Sequence, residues 1–297
     1  MKEKPRVTIA IPVFNGEKHI ADAIKSILSQ RYTNWELLIM DDGSEDRSLD
    51  ICQSFDDPRI KIFKDGFNKG ISHRLNESIH IARGDFYARM DADDIMDIER
   101  ISYQMQYMND NPECDVVGSA AYIIDGNNSI TGLRSGNTFA SQTFASILSQ
   151  GGFMHPTVLG RTLWFRSNPY NINADRCEDI ELWLRTVDHS KFGHISDPLL
   201  FYREEGDQSS KVEKTIKGYR KMLQNMSMTV GPEYQSLLRR QQQKVIVKLW
   251  VRRIAHRLGL EKTIVAARSQ RLTNIQHRKG QIDLQKAISY PRERIES

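Results

Sequence analysis

Three carboxylates crowd the stretch "FYARMDADDIMD" at residues 86–97: Asp91, Asp93 and Asp94. Acids this close repel one another unless positive charge lies between them. Asp91 and Asp93 are spaced D-x-D, and alternate residues of an extended chain share a side, so both can point into one crevice. Two hard oxygen ligands suit Mg²⁺ or Mn²⁺, with water and phosphate oxygens completing an octahedron. The same stretch also reads as a solvated turn capping the helix that starts near Asp97. A second acidic pair, Asp41 and Asp42 in "IMDDGSED", and a third, Glu178 and Asp179 in "CEDIELWLR", are the other candidates for chemistry.

Alternating strands and helices must position these groups. Apolar runs at 7–14, 35–40, 60–63, 86–90 and 115–124 read as strands, several of them apolar on both faces like buried parallel strands. Helical patterns lie between them at 18–30, 48–55, 72–82 and 98–109; the first places Ile20, Ile24, Ile27 and Leu28 on one face. Such β–α units predict an α/β fold with an open, mostly parallel central sheet and helices on both sides. Its binding crevice lies beyond the carboxyl ends of the strands, where Asp41, Asp42 and Asp91 fall. After residue 125, "DGNNSITGLRSGNTFASQ" reads as a loop or short hairpin, 178–189 as a helix and "GHISDPLLFYREE" as a strand.

The fold class suggests a nucleotide, yet neither G-x-G-x-x-G nor G-x-x-x-x-G-K-[ST] comes after the first strand. The segment there, "IPVFNGEKHI", is too poor in glycine for its backbone to wrap a diphosphate. A divalent cation is the alternative neutraliser, and it also answers the crowding of the acids.

Composition bounds the class. The 297 residues are 39% hydrophobic and 27% charged, ordinary for a globular protein, and are read as one α/β core plus an appendage. Cys52, Cys114 and Cys177 are widely spaced and offer no zinc pattern. No apolar run reaches membrane-spanning length and no signal peptide is legible, so a cytoplasmic location is expected. The net charge of +4 hides a division: residues 211–297 hold 20 Lys and Arg against 6 Asp and Glu, residues 1–210 hold 22 against 32. An acidic part suits a cation; a basic part suits an anionic surface.

Taken together, "VTIAIPVFNGEKHIADAIKSILSQRYTNWELLIMDDGSEDRS", "NKGISHRLNESIHIARGDFYARMDADD" and "EDIELWLR" resemble the family 2 glycosyltransferases, an inverting group with the GT-A fold. The resemblance spans about residues 5–205. It implies a nucleotide pocket lined by Pro12, Phe14 and Asn15, with Asp42 accepting from uracil N3–H. The stretch "DDGSED" also reads simply as a turn with a helix N-cap, and Ser44 can be that cap whatever Asp42 does. Asn68 and Gly70 match the turn before the third helix. Arg74 either reaches the nucleotide or lies on an exposed helix face. Asp91 touches the ribose or a metal-bound water, Asp93 ligates the metal directly, and Asp94 supports the loop. Asp179 matches the family's general base, with Glu178 orienting the acceptor or substituting for it. Both lie in a first helical turn, whose positive end favours the ionised form. His155 matches an acceptor-side position, or simply shapes the loop before Pro156. Many relatives carry a histidine shortly after "YR"; here Glu204 and Glu205 stand there, so either Glu205 replaces it or the metal keeps another water.

In the tail, Lys244, Lys248, Arg252 and His256 share one helical face, with Ile246, Val247, Trp250, Val251, Ile254 and Leu258 on the other. Such a helix either lies on an anionic membrane or packs on the core with its charges in water. Nucleic acid is disfavoured because the acidic core repels a phosphate backbone. Similar bacterial family members build O-antigen or capsule repeats on undecaprenyl diphosphate. The processive members' Q-x-x-R-W motif and membrane helices are absent from the sequence.

The resulting expectation is a GT-A domain at 1–210 and a basic helical region at 211–297, peripheral on the inner membrane face. Its activity would be metal-dependent, inverting, non-processive transfer of one hexose, galactose or glucose, from a UDP-sugar to an undecaprenyl-diphosphate-linked saccharide. The alternatives are a sugar nucleotidyltransferase, which would need a Gly-rich basic loop after strand one, and an inactive peripheral membrane scaffold.

Overall fold

The computed structural model describes residues 6–136, 143–174, 176–205, 208–257 and 272–290. Among them, nine strands form one sheet. They are β1 (Val7–Val13), β2 (Trp35–Asp41), β3 (Ile60–Phe63), β4 (Phe86–Arg89), β5 (Ile95–Met96), β6 (Val116–Ile124), β7 (Ile130–Arg134), β8 (Leu159–Arg161) and β9 (Phe192–Arg203). The order is β3-β2-β1-β4-β8-β6-β9-β5, with β7 paired to β6. The half containing β3, β2, β1 and β4 is parallel, as expected. The other half is mixed: β8 runs antiparallel to β4 and β6, whereas β6 and β9 are parallel.

Residues 126–136 resolve the loop-or-hairpin choice: β7 folds back on β6 as a hairpin. The strands that the sequence reading missed, β5 and β8, are two and three residues long. Periodicity cannot register over so short a run.

Apolar side chains explain how the layers assemble. Along β1, Val7, Ile9, Ile11 and Val13 face a cluster shared with helix α1 (Ile20–Leu28) and helix α4 (Arg100–Asp110). Ala10, on the opposite face, joins Leu75 and Ile79 of α3 (Ile71–Ile81) in a second cluster. A strand buried on both faces needs helices on both sides, and alternation delivers one side chain in two to each. The predicted α1 face is correct: Ile20, Ile24, Ile27 and Leu28 are all buried. Burying each such side chain stabilises by roughly 1.5–3 kcal/mol. Helix α2 (Ser48–Gln53) lies between β2 and β3 in the chain. The second cluster also takes side chains from α5 (Phe144–Gln150), α6 (Thr162–Ser167) and α7 (Glu178–Thr186).

Beyond β9 the described residues form three helices, as the sequence suggests: α8 (Gln208–Met226), α9 (Pro232–Arg257) and α10 (Asn274–Ile288). These helices do not stand apart. Met222, Leu223 and Met226 of α8 and Leu238 and Val245 of α9 lie in the second cluster. Leu284 and Ala287 of α10 join Tyr122, Ile124, Ile130 and Phe201 in a third. The last strand ends at Arg203 and residue 210 lies within α8, and the described tail helices share the core. No helix among the described residues is long and apolar enough to cross a membrane.

Candidate active site

The loops after β1 and β2 are laced together by side chains that accept backbone N–H groups. Asn15 N–H donates to Ser44 Oγ at 3.1 Å and Glu45 N–H donates to Asn15 Oδ1 at 2.9 Å. Gly16 N–H donates to Ser48 Oγ at 2.7 Å, and Glu17 N–H to Asp46 Oδ2 at 2.9 Å. Asn15 itself has φ 51°, a left-handed conformation that asparagine tolerates better than most residues. Ser44 thus ties loop to loop and does not cap α2; Asp46 accepts the Ser48 N–H at that helix start instead. Phe14 and Asn15 are left exposed at the strand end and Pro12 half-buried.

Asp42 anchors a third loop. Its Oδ1 accepts from Lys69 N–H at 2.7 Å and Arg74 Nε at 2.8 Å, and its Oδ2 from Gly70 N–H at 3.0 Å. Gly70 has φ 87°, and Gly43 has φ 77° with Phe67 backbone only 3.0 Å from where a Cβ would stand. A side chain at Gly43 would strain both the backbone and this packing, and one at Gly70 the backbone alone, since a Cβ there meets open space. Arg74 is neither on an exposed face nor open to a ligand. Its side chain is 3% exposed, and all five N–H donors are used on Asp42, Asp65, Glu77 and the Phe67 carbonyl. The proximity of three carboxylates captured the guanidinium, which shapes the pocket through Asp42.

After β4 the acid triad is real. One carboxylate oxygen from each of Asp91, Asp93 and Asp94 lies within 4.8 Å of the others. The protein supplies part of the positive charge itself. Arg89 grips Asp91 through Nη1–Oδ2 at 3.0 Å and Nη2–Oδ1 at 2.6 Å. Arg203 donates its N–H to Asp94 Oδ1 at 2.9 Å and its Nε to the Asp93 carbonyl at 2.7 Å, so Asp94 does support the loop. Behind them Arg100 is fully buried, its Nη2 on the Arg89 carbonyl at 3.0 Å. Asp94 is also fully buried with Oδ2 lacking a partner, and burial, then the Asp91 and Asp93 charges, push its pKa well up. An all-oxygen donor set with one orphaned buried oxygen fits a hard divalent cation. Asp94 therefore joins Asp91 and Asp93 as a residue that could hold it.

Facing the triad, α7 presents Glu178 and Asp179 on a cleft of about 590 Å³ that Arg89, Asp91 and His155 also line. The sequence expectation that the helix end keeps the pair ionised needs correction. Burial, then the neighbouring Asp179 charge, pushes Glu178 up to about 7, and burial also raises Asp179. Backbone N–H groups at the helix start and Arg89 act the other way, but desolvation is the larger effect. Glu178 Oε2 is buried without a partner. His155 lies beside the pair, with Nδ1 4.0 Å from Glu178 Oε1 and Nε2 2.9 Å from the Tyr170 hydroxyl. Burial, then Arg89, keeps this imidazole neutral by lowering its pKa far below the usual value.

The cleft brings Asp91, His155, Glu178 and Asp179 together. Pro12, Phe14, Asn15 and Asp42 stand on neighbouring strand ends of the same sheet edge. Glu205 does not take a metal-side position: it accepts from Lys18 Nζ at 2.7 Å and lies 3.0 Å from His19 Nε2, while Glu204 pairs with Arg134. Sequence reasoning missed Arg89, Tyr170 and Tyr202 in the site. The signal for Arg89 was available, since a charge inside a strand apolar on both faces demands a partner. In the tail helix, Ile246 and Val247 are exposed beside exposed Lys244. The side chains of Lys248, Trp250, Val251, Arg252, Ile254 and His256, and all of Leu258, lie outside the described residues.

Comparison with known proteins bears on the family and the fold. The model of the family described as "Glycosyl transferase family 2" matches residues 8–170. The chain is 32% identical over 215 residues to the putative glycosyltransferase EpsE of Bacillus subtilis (strain 168), covering 70% of this chain and 76% of that protein. It is 33% identical over 207 residues to an Escherichia coli protein, the UDP-Glc:alpha-D-GlcNAc-diphosphoundecaprenol beta-1,3-glucosyltransferase WfgD, covering 69% and 78% respectively. Among solved structures, S. aureus TarS 1-349 in complex with UDP-GlcNAc superposes with a TM-score of 0.59 at 17% identity, over 81% of this chain and 71% of that one. The mannosyltransferase PcManGT from Pyrobaculum calidifontis, in complex with GDP-Man and Mn²⁺, gives 0.58 at 14% identity over 96% and 86%. The chain belongs to glycosyltransferase family 2 and has the GT-A fold. Membership in this family makes it a transferase of sugars and removes the nucleotidyltransferase alternative.

Proposed function

We propose that this glycosyltransferase moves a single hexose, glucose or galactose, from a UDP-sugar to a saccharide on undecaprenyl diphosphate, with inversion, in surface-polysaccharide synthesis. The observation that carries the reading is the convergence of Asp91 of the acid triad with Glu178 and Asp179 on one cleft. Asp42 and the 11–15 turn take the uracil end, at the edge of the same sheet. The donor and acceptor classes are supported by the name of WfgD and by the nucleotide sugar held by TarS.

In the reaction, Asp179 accepts the proton of the acceptor hydroxyl as that oxygen attacks the anomeric carbon. The bond from that carbon to the β-phosphate oxygen breaks, and its electron pair leaves with UDP. Glu178, whose buried Oε2 has no protein partner, receives a hydrogen bond from the acceptor sugar and so aims the attacking group. Asp91, Asp93 and Asp94 would hold Mn²⁺ or Mg²⁺, which supplies positive charge to the departing diphosphate. His155, held by the Tyr170 hydroxyl, stands beside Glu178 on the same cleft.

Peripheral attachment to the inner face of a membrane belongs to the same reading. Arg240, Lys244 and Val247 line a shallow depression on α9, and the apolar Ile246 beside them is 40% exposed. This pairing suits anionic headgroups over an acyl boundary.

The test is UDP release by purified protein with a panel of UDP-sugars and a synthetic GlcNAc-diphospho-lipid, in Mn²⁺, Mg²⁺ or EDTA. Release requiring both lipid acceptor and metal, with one UDP-hexose, is expected. Metal-dependent UDP binding without release from any donor would reject this acceptor class, and no UDP binding would favour a scaffold with an inactive core.

A further inference from the structure

We propose that Arg89 is a positioning residue coupling the two acid sets: its guanidinium fixes Asp91 at one end of the cleft and places positive charge beneath Glu178 and Asp179 at the other. The inference rests on the reading of Asp179 as base. It begins with an anomaly of location, since β4 is buried throughout and the Arg89 side chain is 3% exposed. A guanidinium taken out of water costs several kcal/mol unless acids repay it; Asp91 pairs with this one directly, and Glu178 and Asp179 line the same cleft.

Its placement is rigid. The Arg89 N–H donates to the Val158 carbonyl at 3.1 Å, while its own carbonyl accepts from Arg100 at 3.0 Å. Both ends of the residue's backbone are therefore held while the side chain brackets both oxygens of Asp91. A planar fork of this kind sets the carboxylate's rotation as well as its position. On the other side Arg89 borders the cleft with Glu178, Asp179 and His155. The charged and titratable groups acting on Asp179 come from several elements: Arg89 and Asp91 at β4, Glu178 on α7, and Tyr170 before it. His155 faces Glu178, and Arg134 and Arg176 line the same cleft. Only a buried cation fixed between the acids can orient one set and ease ionisation of the other.

The test compares Arg89→Gln and Arg89→Lys in the full-length protein, reading UDP–Mn²⁺ affinity by calorimetry, the pH profile of kcat, and thermal midpoint. Arg89→Gln should weaken UDP–Mn²⁺ binding by about tenfold and move the acid limb of kcat upward by about one pH unit, because a lost cation raises the base's pKa. Arg89→Lys should split the two effects. Lysine keeps the charge, so the acid limb returns toward wild type; it cannot bracket both oxygens, so the binding defect remains. Two folded variants with wild-type affinity and pH profile would overturn the coupling, as would unfolding of both, which makes Arg89 a residue that the fold alone needs. If Asp179→Asn is as active as wild type, the base reading fails, and the binding arm still judges the hold of Arg89 on Asp91.

Discussion

The two sides of the site use carboxylates in opposite ways. On the side of the β1 and β2 loops, Asp42 accepts three donors from its own chain, and the loops close on each other through Asn15, Ser44, Asp46 and Ser48. On the α7 side, Glu178 keeps a buried oxygen with no partner, and both acids of the pair are desolvated. Completed hydrogen bonds make a rigid seat that a ligand meets ready-made. Incomplete ones leave buried polar atoms whose cost falls only when a ligand arrives. The contrast marks where the protein completes its own hydrogen bonds and where it leaves a buried acceptor open to a ligand.

Breaking the reactive side should give the largest effect. Asp179→Asn keeps size and removes the base, so transfer should fall by roughly 10³-fold or more while UDP affinity stays within about twofold. Turnover near wild type would remove Asp179 from the mechanism. Asp93→Ala should weaken UDP binding in Mn²⁺ by about tenfold and leave the residual binding insensitive to EDTA. Continued EDTA sensitivity at full affinity would place the cation elsewhere.

Breaking the rigid side should act first on the fold. Arg74→Ala strands Asp42, Asp65 and Glu77 together without their shared cation. Removing one partner of a buried ion pair costs about 3–5 kcal/mol, which lowers the thermal midpoint by on the order of 10 °C. UDP affinity should drop with it, because the Asp42 loop loses its anchor. If the midpoint holds and only affinity falls, Arg74 would be a direct ligand contact after all.

How much could be read from the chain depends on the range of the signal. The parallel β1–β4 half was legible because each strand is an apolar run between helical patterns, and β1 needs nothing beyond alternation to divide its side chains between two clusters. Helix α7 and its first-turn acids were equally local. The mixed half was not, because β5 and β8 owe their strand geometry to neighbours distant in sequence. The two readings of Arg74 stayed open, and its place inside the Asp42 loop went unseen, for the same reason. Its helical spacing is compatible with exposure, and only the arrival of Asp42, 32 residues earlier, and Asp65 fixes it inside. The ionisation of Glu178 and Asp179 likewise turned on burial, which a helix-end argument does not contain.

That last point yields the smallest effect and the sharpest contrast, between two glutamates. Burial holds Glu178 up at about 7, so ionising it works against the fold: its stabilising contribution is full below the ordinary carboxyl range and is lost as pH rises through about 7. Glu205 is drawn down to about 2 by Lys18, with burial opposing and His19 adding to the pull, so its contribution is present at neutral pH and is lost as pH falls toward 2. Glu178→Gln should therefore remove a decline of about 3 kcal/mol in unfolding free energy between roughly pH 4.5 and 7. Glu205→Gln, at an ion pair that water screens, should flatten the acid side by no more than about 1 kcal/mol. Denaturant unfolding of both variants from pH 3 to pH 8 measures the pair. Curves that change with the same sign would mean that Glu178 is ionised with a partner at neutral pH, and the distinction between a seated acid and a reactive one would then rest on Asp179 alone.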